Sequence, residues 1–136
     1  MLFEQIATGG CQSYLLGCPD TLAAVLIDPE ISQADRYRAL AATAGVRIRY
    51  IVDTHTHADH FSAAKQLSEA LGAAAVMHRA SPAPHASLRL DEDDALIVGN
   101  LRIRAIHTPG HTADSMCLAV RDRVFTGDTL LIGGTG

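Results

Sequence analysis

Residues 51–67 read IVDTHTHADHFSAAKQL, and the central THTHADH (54–60) places three histidines and one aspartate in seven positions. The flanks set the frame. IVD is a short β-branched run that reads as a buried strand, and FSAAKQLSEALG (61–72) has helical periodicity and a glycine stop. The cluster therefore sits where a strand hands over to a helix. In extended chain, residues two apart project to the same side, so His55 and His57 converge on one point. Asp59 and His60 lie where the chain turns and address a neighbouring point. Imidazole and carboxylate without thiolate suit Zn, Fe or Mn.

Outward from this cluster the pattern is mixed. SYLLG and LAAVLID are apolar runs separated by the turn residues CPD and read as a β-hairpin. SQADRYRALAATAG reads as a helix with Ser32 as N-cap and Gly45 as stop. In the second helix Phe61, Ala64, Leu67 and Leu71 form one stripe, with Gly72 beyond it. AAAVMH reads as a strand and RASPAPHASLRLDEDD as a polar, turn-rich connection. ALIVGN pairs with LRIRAIH across Gly99-Asn100, SMCLAV pairs with RVFTGD, and LLIGG follows. This order implies an α/β or α+β fold with a sheet covered by helices on one face. The DEDD run (Asp91 to Asp94) lacks the glycine and downstream glutamate of a calcium loop and reads as a solvated turn.

Two later stretches look like partners of the cluster. TPGHT (108–112) ends an apolar strand in a Pro-Gly turn that presents His111, and TGD (126–128) does the same for Asp128. Ligands on loops at strand ends, held by a rigid sheet, are a common way to assemble an α/β site. His78 and His85 read as surface residues, and His107 as bordering the site without ligating. Thr54, Thr108 and Thr112 read either as turn caps or as hydrogen-bond partners of metal-bound groups. Tyr14 reads as a strand tyrosine packed at an edge.

Bulk properties exclude other classes. The 136 residues make one domain, 48% hydrophobic and 19% charged, an ordinary globular balance. With only 4% aromatics and no tryptophan, Ala, Leu, Ile and Val must build the core. A net charge of −4 argues against a nucleic-acid or anionic-membrane surface. Arg36, Arg38, Arg47 and Arg49 are the nearest approach to a basic cluster and read as a solvated face. No apolar run reaches transmembrane length, and MLFEQIATGG lacks the basic start of a signal peptide. Cys11, Cys18 and Cys117 share no C-x-x-C spacing and read as reduced thiols of a cytoplasmic protein, with Cys117 buried.

THTHADH, TPGHT and TGD, in this order, resemble the metallo-β-lactamase superfamily, whose fold is an αββα sandwich. AVLIDP (24–29), IVDTHTHADHFSAAKQL (51–67) and FTGDTLLIGGTG (125–136) look most like the persulfide dioxygenases. The hydroxyacylglutathione hydrolases (glyoxalase II) are similar. The first resemblance implies one Fe(II) held by His55, His111 and Asp128, a facial-triad composition. It also implies oxidation of glutathione persulfide by O₂ to sulfite and glutathione, with His57, Asp59 and His60 orienting water and ligands. The second implies two Zn ions and thioester hydrolysis. There His55, His57 and His111 hold one zinc, Asp59 and His60 hold the other, and Asp128 lies between them. Asp59 and His60 are the residues expected to act in catalysis as well as in metal binding. The hydrolases carry a further histidine beyond TGD, and no histidine follows His111 here.

The resemblance covers nearly all of this chain but little more than half of a typical family domain. Residues 1–136 are therefore expected to be the N-terminal part of the sandwich, incomplete after TGD. Apolar edges left there invite self-association into a homo-oligomer. A third expectation is a metal-binding fragment without catalysis of its own.

Overall fold

A computed structural model describes residues 1–7, 12–56, 62–110, 112–126, 130–131 and 134–135. The hairpin read around CPD forms as β2 (Gln12–Gly17) and β3 (Ala23–Ile27), antiparallel with Leu15 opposite Leu26. β1 (Leu2–Ala7) adds an outer antiparallel strand. Of its six residues only Ile6 is buried, so no period-2 pattern announced it. β4 (Arg47–Val52), β5 (Ala74–His78) and β6 (Leu88–Leu90) then follow in parallel, giving one sheet in the order β1-β2-β3-β4-β5-β6. β6 falls inside the stretch expected to be only a connection. Its three residues include one buried side chain, Leu90, too little for a sequence signal.

Between β3 and β4 lies a 3₁₀ turn, Ile31–Gln33, leading into α1 (Ala34–Ala44). Ser32 is not the cap expected of it. It sits inside the 3₁₀ turn and donates its amide to the Glu30 carboxylate, while Gln33 caps α1 without a side-chain bond. α2 is Ala64–Leu71. Both helices stop as expected at glycines in the left-handed region, Gly45 (φ 71°) and Gly72 (φ 67°).

β7 (Ala95–Val98), β8 (Leu101–His107), β9 (Met116–Val120) and β10 (Arg123–Phe125) form a second, antiparallel sheet in the order β10-β9-β8-β7. The backbones of β11 (Leu130–Leu131) and β12 (Gly134–Thr135) pair antiparallel.

Strands β2 to β5 are buried on both faces, which explains their nearly continuous apolar runs. Leu16, Val25, Ile27, Val52 and Val76 face the second sheet and pack on Leu96, Ile103, Met116 and Leu118. Leu15, Leu26, Ile48 and Ile51 face the other way and pack on Tyr37 and Ala41 of α1 and Leu67 of α2. Layers of helix, sheet and sheet result. On the outer face of the second sheet Ile97 and Val124 are 59% and 56% exposed, and no helix covers them among the described residues. Tyr14 is not at an edge; it packs between the sheets, 4.7 Å from the Phe125 ring. No helix among the described residues is long and apolar enough to cross a membrane.

Candidate metal centre

Strand β3 ends in Asp28, a non-glycine residue at φ 53°. Such a conformation is uncommon outside glycine and costs energy, so the surroundings must hold it. They do. The Asp28 amide donates to the carbonyl of Val52, and its own carbonyl accepts from Ser13 Oγ at 2.6 Å. Ser13 has spent its one proton there, so Tyr37 must donate to Ser13 Oγ across 2.7 Å, while the Tyr37 oxygen accepts the Glu30 amide. Helix α1 is thereby tied to the Asp28 turn, and the carboxylate is aimed at the start of the histidine cluster.

That carboxylate, only 3% exposed, accepts the Thr54 amide on Oδ1 (2.8 Å) and the Thr54 hydroxyl on Oδ2 (2.7 Å). Thr54 Oγ1 also lies 3.0 Å from His55 Nδ1. A hydroxyl has one proton, and here the carboxylate takes it. The contact with His55 can then only be Nδ1–H donating to Thr54 Oγ1. His55 therefore carries its proton on Nδ1, and Nε2 is the nitrogen that the neutral ring would offer to a cation. A buried imidazole (2% exposed) with this tautomer fits a first-row metal ion. Thr54 thus spends its hydroxyl on Asp28 and on the ring of His55, a candidate ligand, rather than on a turn backbone group among the described residues.

His57, Asp59, His60, His111 and Asp128 lie outside the described residues. What surrounds them is informative. Asp53, 2% exposed, accepts Ser62 Oγ on both oxygens at 2.9 and 2.8 Å, and so clamps the two ends of the 54–61 segment together. Asp114 accepts the Thr56 amide (3.2 Å) and hydroxyl (2.6 Å), and Thr112 Oγ1 donates to the same carboxylate. Thr56 lies between His55 and His57, and Thr112 follows His111, so Asp114 fastens the first motif to the second. The Met116 amide reinforces this by donating to the Thr54 carbonyl at 2.9 Å. Cys117, a buried free thiol, bridges toward the third motif, with Sγ 3.6 Å from Thr108 Oγ1 and 4.0 Å from the Thr126 carbonyl. The chain flanking all three motifs therefore meets at one edge of the two sheets, beyond the C-terminal ends of β3, β4 and β5.

Burial alone would raise the Asp114 carboxyl, but hydrogen bonds from Thr112 and Thr56 outweigh it and hold the group below the usual range. His78 was expected at the surface but is 4% exposed, its ring stacked 3.8 Å from that of His107. Its Nδ1 accepts the Ala80 amide, so the proton is on Nε2, which is buried and has no hydrogen-bond partner among the described residues. Desolvation, then the neighbouring His107, lower its pKa and keep it neutral. Asp28 and Asp114 are the buried carboxylates beside the motifs that motif reading passed over. The only trace of Asp28 in the sequence is a carboxylate closing an apolar strand, and of Asp114 one in TADS after TPGHT.

Residues 6–136 match the metallo-beta-lactamase superfamily. Human mitochondrial persulfide dioxygenase ETHE1 is 38% identical over 127 residues, 91% of this chain and 50% of that protein. A hydroxyacylglutathione hydrolase from Anaeromyxobacter dehalogenans is 40% identical over 117 residues, 83% of this chain and 44% of that one. The crystal structure of ETHE1 from Myxococcus xanthus superposes with a TM-score of 0.97 at 38% identity, covering all of this chain and 61% of the other. The chain thus spans about half the length of the curated relatives it matches. Chain flanking three motifs that meets at one edge of two packed sheets, the first of them covered by helices, and a family match along nearly the whole sequence place this chain in the metallo-β-lactamase superfamily.

Proposed function

We propose that this protein is a non-haem iron persulfide dioxygenase, with His55, His111 and Asp128 holding one Fe(II) and a glutathione persulfide as substrate. The observation that carries the reading is the Asp28–Thr54–His55 relay, which presents Nε2 as a metal-binding nitrogen. The likeness to the ETHE1 structure along the whole chain supports the choice of chemistry. Two imidazoles and a carboxylate leave positions open on iron, which when bound supplies the redox centre where sulfur substrate and O₂ meet.

The chain's own residues do the rest. Asp28 holds the Thr54 hydroxyl, Thr54 holds the His55 ring, and Asp114 holds the two ligand loops at fixed spacing. None of these groups has to reorganise when a cation arrives, which favours binding. His57, Asp59 and His60 are assigned to orienting water and ligands.

A second reading is a dinuclear zinc thioester hydrolase. It is favoured by the 40% identity to a hydroxyacylglutathione hydrolase. It would add His57, Asp59 and His60 to the ligand set. His60→Ala separates the two: it leaves the iron content of a dioxygenase unchanged and removes one of two zincs from a hydrolase. Oxygen uptake with glutathione persulfide is expected from protein purified anaerobically. Release of thiol from a hydroxyacylglutathione, with two zincs and no oxygen uptake, would overturn the dioxygenase reading.

A further inference from the structure

At the opposite end of the sandwich, where β3, β4 and β5 begin, the two sheets splay around a cleft of about 680 Å³, a size that suits a small organic ligand. Its walls include Thr21, Arg47, Arg49, Tyr50 and Ile97, and no carboxylate lines it among the described residues.

Arg47 and Arg49 share the cleft face by simple alternation around Ile48, and a break in register brings Tyr50 to join them. Ala24 pairs with Ile48 but Val25 pairs with Tyr50, so Arg49 is an extra residue, a β-bulge in β4. Without it, strict alternation would carry Arg47 and Arg49 to one face and put Tyr50 on the helix face. With it, Ile48 and Ile51 both reach the helix-side core, and Arg47, Arg49 and Tyr50 all reach the cleft. Bulges are commonly used to re-aim side chains beside a site.

The other arginines with contacts have evident occupations. Arg79 and Arg104 pair with Asp91 and Asp93 at 2.9 and 2.8 Å, Arg89 donates to the carbonyls of Ser81 and Ala83, and Arg123 lies over the Phe3 ring. Arg47 and Arg49 make no ion pair among the described residues. Two like charges in one cleft repel, and the chain as a whole is acidic, at −4. An oxyanion between them relieves that repulsion and takes up the guanidinium donors in pairs.

We infer that this cleft is a second binding site, separate from the histidine end, for a small molecule carrying a phosphate-like tetrahedral oxyanion. Thr21 and Tyr50 supply hydroxyls, and Leu22, 46% exposed, offers apolar surface to the ligand's carbon skeleton. The floor is rigid. Gly99, at φ 60°, packs so closely that a Cβ there would lie 2.1 Å from Thr21 Oγ1 and 2.7 Å from Cys18 Cβ.

The test is an amide NMR titration of the full chain with inorganic phosphate and with phenyl phosphate, at constant ionic strength. Saturable shifts are expected at residues 21–23, 47–50 and 97–99. Arg47→Gln with Arg49→Gln should weaken binding about tenfold or more, while Arg36→Gln with Arg38→Gln on α1 should leave it unchanged. Three results would overturn the site: equal weakening by both pairs, the mark of diffuse charge; saturable shifts only around residues 53–56; or no saturable shift. Because the readout is local and needs no metal, it stands or falls independently of the dioxygenase reading.

Discussion

The two ends of the sandwich treat their polar groups in opposite ways. At the histidine end Asp28, Asp53, Thr54, His55 and Asp114 are all 3% exposed or less; Asp28 and Asp114 each accept at least two hydrogen bonds, and Asp53 shares the Ser62 hydroxyl proton between its two oxygens. At the arginine end Arg47 and Arg49 remain exposed, without ion pairs among the described residues. Burying polar groups is costly unless they are fully bonded, and once bonded they are rigid. The first end is therefore suited to holding something permanently at fixed geometry. The second leaves its charges solvated and ready to exchange an ion. A resident metal and a transient anion call for these two designs.

The comparison predicts that substitutions at the first end are expensive and at the second end nearly silent for folding. Asp28→Ala should be the most damaging. It strands the buried Thr54 amide and hydroxyl and frees the His55 ring, at about 3–5 kcal/mol of stability. Metal affinity should fall roughly 10–100-fold. Urea unfolding and competition with a chelator measure the two.

Asp114→Ala should come next, at about 2–4 kcal/mol, since three hydrogen bonds between two loops are lost. Its pH dependence is diagnostic. The folded-state pKa lies below the unfolded one, so the stabilisation is fully present above the ordinary carboxylate value of about 3.9. It is lost as pH falls through the lower folded value. The variant should lack that part of the acid limb.

His78 should give a smaller effect in a different window. Its folded pKa is lowered, so the unfolded chain takes up the proton first. Stability should decline as pH falls below about 6.5, and His78→Asn, which retains an acceptor for the Ala80 amide, should flatten that decline. Smallest of all, Arg49→Gln should change stability by no more than about 0.5 kcal/mol at any of these pH values.

How much of this was legible depends on whether the signal is local. The β2–β3 and β7–β8 hairpins, the glycine stops of both helices and the three motifs that mark the family each lie within a dozen or so residues, where turn chemistry and periodicity operate. β1 and β6 escaped because each buries one side chain, and pairing with a neighbour is what makes them strands. Asp28 and Asp114 escaped because their partners are 26 and 58 residues away. His78 escaped because the ring that covers it belongs to the other sheet. Arg49 shows the same limit: its two-residue spacing from Arg47 was visible, but only the pairing with β3 reveals the bulge.

The central claim is that Asp28 and Thr54 set His55 as the Nδ1–H tautomer before any metal binds. Long-range ¹⁵N NMR of the His55 ring in metal-free protein at neutral pH tests it directly. The expected spectrum shows a protonated Nδ1 and an unprotonated Nε2, with Nε2 alone shifting strongly when zinc is added. A proton on Nε2 in the metal-free protein would contradict the relay, and with it the account of how this end of the molecule is prepared for a metal.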